Sequence, residues 1–536
     1  MYQDNKIWIG TSGEEKVYIY PKMANRHGLI AGATGTGKTV TLKVMAESFS
    51  DCGVPVFLAD VKGDLAAMCK AGVENENVTK RVEAMKLNDF GYEFKSYPTN
   101  YWDVYGEMGM PLRTTISEMG PLLLSQILDL NETQSDILTI IFKIADDEGL
   151  LLLDTKDLRS MIQYVSEHSK EYADEYGNMA KQSLAAITRA VVAMEAEGGD
   201  YFFGEPALSI TDWLCTDCNG KGMIQVLDCQ KLINSPTTYS MFMLWLMSEL
   251  FETLPEAGDR EKPKMVFFFD EAHLLFDNAS KTLLAKIEQV VKLIRSKGVG
   301  IYFITQNPQD IPDGVLGQLG NKVQHALRAY TPKEQKAAKA AAESFRVNPD
   351  FDTLEVLTAL GTGEALISVL DEKGVPTVVK QCDILPPQSM MGPIDDTERN
   401  NQVTNGMLYP KYSQVLDRES AYEMLIKKVE QEEIEEQQAA EAEAAAKQQA
   451  KEEAAAAKKK EKEAEAARKA EEKAKAAKEK KKQSEMKKVA SSATSTIGRE
   501  VGNTIGNAIG GKFGKKLGGN IGAALGRGIL STLFKN

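Results

Sequence analysis

The residues with the most chemical content lie near the start of the chain: Gly32, Ala33, Thr34, Gly35, Thr36, Gly37, Lys38 and Thr39. They have the form G-x-x-x-x-G-K-[ST], in which the glycines let the backbone curl so that its N–H groups face a phosphate. A helix starting at the end of the loop adds favourable partial charge for an anion. Lys38 is expected to reach the β- and γ-phosphates of ATP, and the Thr39 hydroxyl to hold Mg²⁺. The flanks fit. Residues 27–31 read as a short buried strand, and residues 40–50 as a helix with Leu42, Val44, Met45 and Phe49 as its apolar positions.

A second group lies far downstream. Residues 265–269, Met-Val-Phe-Phe-Phe, form an apolar strand that ends in Asp270 and Glu271. Asp270 suits a metal-holding role through water, and Glu271 suits a general base that polarises the attacking water. The strand over 300–305 ends in Gln306, an amide placed to meet a γ-phosphate. Arg295 precedes that strand. It has two readings: a cation that stabilises phosphoryl-transfer charge from a neighbouring subunit, or a solvated helix-end charge. Arg328 carries the same two readings, and Lys62 and Asp64 either line the site or belong to a turn. Cys215 and Cys218 form a lone C-x-x-C pair without further ligands at metal spacing, and read as incidental turn cysteines.

The elements that must position these groups alternate strand and helix, so the predicted fold class is α/β with a mostly parallel sheet. Residues 7–9 and 16–20 read as a hairpin, and 54–59 as an all-apolar strand. Later strands are read over 223–228, 265–269, 300–305 and 323–328, with helices over 238–253, 281–297 and 333–344. Residues 364–370 and 375–379 read as a closing hairpin. The organisation follows: core over 1–113, a helical insertion over 114–212, the rest of the core over 213–385, and a linker over 386–421. An Ala/Glu/Lys-rich helix or spacer covers 422–490, and a tail covers 491–536. In that tail glycine recurs every fourth residue from Gly498 to Gly526, each beside an apolar position such as Ile505 or Leu517. This pattern lays small residues beside an apolar ridge, suited to close helix packing or a membrane surface, or else marks a poorly ordered tail.

The 536-residue chain carries a formal net charge of −13, so no global basic field advertises nucleic acid. There is no leader-like apolar run at its start and no stretch of about eighteen apolar residues, so a cytoplasmic location is expected. Six cysteines form no dense framework.

Taken together, G-A-T-G-T-G-K-T, D-V-K-G-D-L, F-F-F-D-E-A-H, R-S-K-G-V-G-I-Y-F-I-T-Q-N-P and N-K-V-Q-H-A-L-R-A-Y-T-P resemble the HerA/FtsK superfamily of P-loop ATPases, in its bacterial HerA-like branch. The resemblance spans about residues 5 to 385. It implies a RecA-like core, ATP and Mg²⁺ as cofactors, and a hexameric homo-oligomer acting on double-stranded DNA. It also implies Arg295 as the arginine finger supplied to a neighbour. About thirty residues precede the P-loop, too few for the N-terminal β-barrel of archaeal HerA proteins, and neither membrane spans nor a winged helix of the FtsK type is visible. The expected function is an ATP-hydrolysing DNA translocase. The alternatives are an ATP-gated scaffold whose tail recruits a protein partner or membrane surface, and a motor that acts on polypeptide.

Overall fold

The computed structural model describes residues 1–258, 260–277 and 281–483. The glycine-repeat tail falls outside the described residues. Thirteen strands among them hydrogen-bond into one sheet. In chain order these are β1 (Tyr2–Gln3), β2 (Lys6–Ser12), β3 (Glu15–Ile19), β4 (Gly28–Ala31), β5 (Val56–Asp60), β6 (Thr99–Asp103) and β7 (Met110–Pro111). They continue with β8 (Ile224–Asp228), β9 (Met265–Phe269), β10 (Val299–Thr305), β11 (Asn321–His325), β12 (Glu364–Ser368) and β13 (Lys380–Ile384). The sheet order is β1-β2-β13-β12-β11-β4-β10-β9-β5-β8-β6-β7, with β3 on β2. From β11 to β7 every neighbouring pair is parallel. The expected α/β class is therefore the observed one. The central strands β5, β9 and β10 are buried along their whole length, which explains their unbroken apolar sequence: helices cover both faces of a parallel sheet.

Register then decides what meets at the carboxyl ends of the strands. Asp60 pairs with Asp228. Phe269 pairs with Ala59, so Asp270 falls beside Asp60. Trp102 pairs with Leu227, so Asp103 falls beside Asp228. Four aspartates thus end four adjacent strands in one row. Asp60, Asp103 and Asp228 each accept main-chain N–H groups from the turn that follows, which is how each strand is stopped.

Between β7 and β8 the chain forms helices Ile116–Ile127, Glu132–Asp147, Thr155–Glu167, Ser169–Tyr176 and Lys181–Met194. The first three open with capping boxes: Thr115 with Glu118, Asn131 with Gln134, and Asp154 with Asp157. These reciprocal side-chain bonds satisfy the orphan N–H groups of each first turn.

Among the elements that differ from the sequence reading, three shape the core. The strand paired with β12 is β13, Lys380–Ile384, rather than 375–379. Pro376 has no N–H to give a ladder, whereas Cys382 and Ile384 point inward and Gln381 and Asp383 outward. Strand β6 has no counterpart in the sequence reading. Its polar residues are buried because Gln225 on β8 accepts from both Asn100 and Trp102. The stretch over 386–421 is not a free linker but a strap fastened to the core. The Glu47 carboxylate, buried in helix α1 (Lys38–Asp51), accepts from the main-chain N–H of Gln388 and Ser389 and from the Ser389 hydroxyl. Lys43 donates to the Met390 carbonyl. Further along, Arg399 pairs with Asp228 at 2.8 Å, both buried, and Tyr412 donates to Asp212. A linker is expected to be solvated; this one carries the partners of buried charges.

Residues 1–435 form one compact unit, and the described residues from 436 on belong to a second. Helix Ala421–Gln483 begins in the first, where Leu425 is buried and the Tyr422 N–H bonds Asp157. Within the second, its described part is exposed and carries Glu–Lys pairs four apart at 443/447, 465/469 and 471/475. Such pairs support an isolated helix by a few tenths of a kcal/mol each.

Replacing Glu47 by Gln keeps its size but sets an amide NH₂ against donors. Limited proteolysis of Glu47→Gln is expected to cut within residues 386–412 at least about fivefold faster than in the parent, which fits a loss of 1 kcal/mol or more from the buried contact.

Candidate nucleotide site

The phosphate loop is built from both sides. The Gly32 N–H donates to the Thr305 carbonyl on β10, and the Ala33 N–H donates to the Ala326 carbonyl just past β11. Thr36 Oγ1 returns to the Ala33 carbonyl at 2.7 Å. Gly37 has φ +113, and a Cβ there would lie 3.2 Å from the Gly363 backbone. At Gly32 a Cβ would sit 2.5 Å from the His325 Cβ. These two glycines are therefore required by close approach as well as by turn geometry. The main-chain N–H groups of Gly35, Gly37, Lys38 and Thr39 meet no protein acceptor among the described residues. A curled row of donors at a helix N-terminus is what a polyphosphate requires.

Lys38 is buried and folds back over this row. Its Nζ donates to the Gly32 carbonyl at 2.6 Å and to the Ala33 carbonyl at 3.1 Å. Burial lowers its pKa; the charges of Glu271 and Asp270 act the other way. Thr39 is half-buried at the second position of α1.

The carboxylate pair stands at the end of β9. Burial pushes the Asp270 carboxyl up to about 6. Glu271 sits at φ +46, a left-handed conformation for a residue with a side chain. The kink turns its carboxylate into a polar cage. Lys62 Nζ donates to Oε1 at 2.6 Å, and Gln306 Nε2 donates to Oε2 at 3.4 Å. His273 Nδ1 lies 3.4 Å from the same Oε2. Burial acts to raise the Glu271 pKa, but the Lys62 hydrogen bond and charge outweigh it and hold the group below the ordinary glutamate range. At neutral pH Glu271 is thus an ionised carboxylate with a cation at one oxygen, able to accept a proton from water.

The structure brings together residues 32–39, Asp270, Glu271 and Gln306 at one edge of the sheet, and of the two readings of Lys62 its contact with Glu271 matches the one that lines the site. The D-V-K-G-D sequence placed Lys62 on the same kind of strand-ending turn as Asp270, and that was its only signal. Asp64 lies close enough to Asp60 and Asp270 to raise the pKa of each. Burial first, and Asp64 second, push Asp60 up to about 7.

Arg295 is not part of this edge. It begins the short helical turn Arg295–Lys297 ahead of β10, whereas Gln306 follows the end of that strand. Seven extended residues separate the two ends by about 23 Å, so Arg295 does not reach the phosphate loop of its own chain. Arg328, exposed just past β11, lies at the same edge as the loop.

Sequence reasoning missed the residue behind the loop. The buried His325 ring faces the Glu364 carbonyl through Nδ1 and the Thr41 hydroxyl through Nε2, at 2.9 and 2.8 Å. The carbonyl can only accept, so Nδ1 donates and Nε2 accepts from Thr41. Burial holds its pKa down at about 4, so the imidazole is a neutral bridge between α1 and β12. Arg81 Nη1 adds bonds to the Gly363 and Ile384 carbonyls, 2.8 Å each, and the Gly363 N–H bonds the Thr36 carbonyl.

Residues 5–516 match the family described as Helicase HerA-like C-terminal. The chain belongs to that family. This HerA-like chain is 21% identical over 387 residues to a DNA double-strand break repair helicase HerA of Sulfurisphaera tokodaii, covering 71% of the chain and 70% of that protein. It is 22% identical over 380 residues to the protein so named in Sulfolobus acidocaldarius, covering 69% and 67%. Among solved structures, the bacterial conjugative coupling protein TrwBΔN70 aligns with a TM-score of 0.48 at 13% identity, over 78% of this chain and 92% of that one. The HerA-like core is that of a P-loop NTPase.

The Asp270 shift has a sign that can be checked. Its pKa is about 6 in the fold against 3.8 unfolded, so between these values the folded chain holds a proton that the unfolded chain has lost. The contribution of Asp270 to stability therefore falls as pH rises from about 4 to 6, by an amount on the order of 3 kcal/mol. In nucleotide-free protein, Asp270→Asn is expected to melt higher than the parent above pH 6 and to converge with it near pH 4. Thermal unfolding across that range measures the difference.

Proposed function

We propose that this chain is a Mg²⁺-dependent ATPase motor that assembles as a hexameric ring and translocates on double-stranded DNA. The observation that carries the reading is the convergence at one sheet edge of acceptor-free loop amides, Lys38, and a Glu271 carboxylate held between Lys62 and Gln306. Two relatives named as DNA double-strand break repair helicases support DNA as the track.

The residues fit ATP and a divalent ion. The loop N–H groups and Lys38 would hold the phosphates; Thr39 and Asp270 would hold Mg²⁺, which when bound neutralises phosphate charge. Glu271 orients a water and takes its proton as the water attacks. Lys62 keeps Glu271 ionised until that moment, and Gln306 fixes the orientation of the carboxylate. Arg295, at the far end of β10, completes the site of a neighbour rather than its own, with Arg328 as the other candidate. A site whose last cation comes from the adjacent subunit fires only in the assembled ring.

Lys38→Ala is expected to abolish ATP turnover. Glu271→Gln is expected to bind ATP while turnover falls at least about 100-fold, the size of a general-base contribution. Wild-type turnover in Glu271→Gln would remove Glu271 from the mechanism. The motor reading is tested by ATPase rate with and without duplex DNA. Stimulation should fall steeply between about 50 and 200 mM salt as phosphate contacts are screened. Turnover that ignores duplex DNA but responds to vesicles or to a protein partner would replace the translocase with the scaffold.

A further inference from the structure

The helix Pro236–Thr253 joins β8 to β9 and is buried along most of its length. Strands β8 and β9 flank β5, and both run parallel to it. The connecting helix therefore starts at the carboxyl edge of the sheet and runs back toward the other edge. Its Phe242 lies over Phe57 of β5, with ring centroids 6.3 Å apart, and Phe57 pairs with Phe267 of β9. Tyr239 stands three residues earlier on the same face, about 4.5 Å nearer the carboxyl edge. Helical side chains lean toward the helix N-terminus, so the Tyr239 ring leans toward the end of β9, where Asp270 and Glu271 stand.

Tyr239 is 1% exposed, and its hydroxyl has no hydrogen-bond partner among the described residues. Burial first, then the charges of Cys229, Asp270 and Glu271, push its ionisation well above the ordinary tyrosine range. The group thus stays an O–H donor within the field of the two carboxylates. A buried hydroxyl that bonds nothing costs stability that phenylalanine in the same space would not. Folded proteins keep few such groups, and an ion or a catalytic role is a common reason for them.

In the structure Asp270 Oδ1 accepts the Glu271 N–H at 2.9 Å, a bond from its own neighbour in the chain. A carboxylate that holds a metal ion is in turn oriented by donors behind it. We propose that Tyr239 is a positioning residue for Asp270, its O–H donating to that carboxylate when Asp270 holds a divalent ion. Tyr239 then lowers the stability of the nucleotide-free fold and raises its affinity for the ion. The proposal rests on the assignment of Asp270 to Mg²⁺ in the ATPase reading.

The test is calorimetric titration of ATP into the full-length chain, once with excess Mg²⁺ and once with EDTA. The ratio of the two affinities is the gain due to the ion. Tyr239→Phe is expected to cut that gain by about tenfold and to leave the affinity in EDTA within about twofold of the parent, as loss of a partner behind a metal ligand does. Without nucleotide, in EDTA, the same variant should melt higher than the parent by on the order of 1 °C or more, because an unbonded buried hydroxyl is gone. In an Asp270→Asn background Tyr239→Phe should change the gain no further, since it acts through Asp270. The proposal is overturned if the gain is unchanged, if affinity falls equally in EDTA, or if the Asp270→Asn background shows a further loss. It is equally overturned if Tyr239→Phe melts no higher than the parent, which would mean that water already bonds the hydroxyl. Failure of the ATPase reading looks different: the parent shows no gain from Mg²⁺, or Asp270→Asn leaves the gain intact.

Discussion

The phosphate loop holds its curl because β4 is gripped from both sides. Gly32 hangs from β10 by the Thr305 carbonyl, and Ala33 hangs from the end of β11 by the Ala326 carbonyl. Between these two anchors the chain must rise, turn and enter α1 within a few residues. Behind the turn, His325 and Gly363 leave no room for side chains at Gly32 and Gly37. The row of N–H groups that faces a phosphate is therefore a product of strand order. Were β4 an edge strand, the same glycine-rich segment would have half its support.

That geometry also sets the electrostatics. A parallel sheet delivers every strand end to the same edge, so Asp270, Asp60, Asp228 and Asp103 are brought into a row without any local attraction between them. The fold tolerates this crowding in different ways at each position. Asp228 has Arg399, and Asp103 has three turn amides. Asp60 and Asp270 hold their protons to unusually high pH. Glu271 escapes the row by its left-handed backbone and finds Lys62. A buried acid that resists ionisation and an adjacent one that is held ionised are a division of roles made by position alone.

Much of this was legible in the sequence because the chemistry is carried by contiguous strings. The loop, the β9 strand with its two acids and the β10 strand with its amide each declare themselves locally, and alternation of apolar runs with helical spacing supplies the parallel sheet. What was not legible depends on partners far away in the chain. Strand β6 reads as polar until Gln225 is known to bond its Asn100 and Trp102. Strand β13 reads five residues early because Val375, Val378 and Val379 outweigh Lys380 and Gln381 in any local count. The strap reads as linker because Pro386, Pro387 and Gly392 signal a loop, and nothing nearby reveals that Glu47 awaits it. His325 looks like any histidine at a strand end until Thr41 and Glu364 are seen on either side.

The grip of the strap on α1 has a consequence for how the molecule comes into being. Helix α1 emerges early in synthesis, yet among the described residues its buried Glu47 obtains its hydrogen-bond donors from Gln388 and Ser389. Strand β4 likewise waits for β10 and β11, which begin at Val299 and Asn321 and leave the ribosome far later. A nascent chain that has made only its first third carries the whole phosphate-loop sequence but neither of its flanking strands, with an unsatisfied carboxylate on the helix that should carry it. Pairings this distant are slow to close. The nucleotide site is thus one of the last parts of the molecule to mature, although its defining sequence is among the first to be translated.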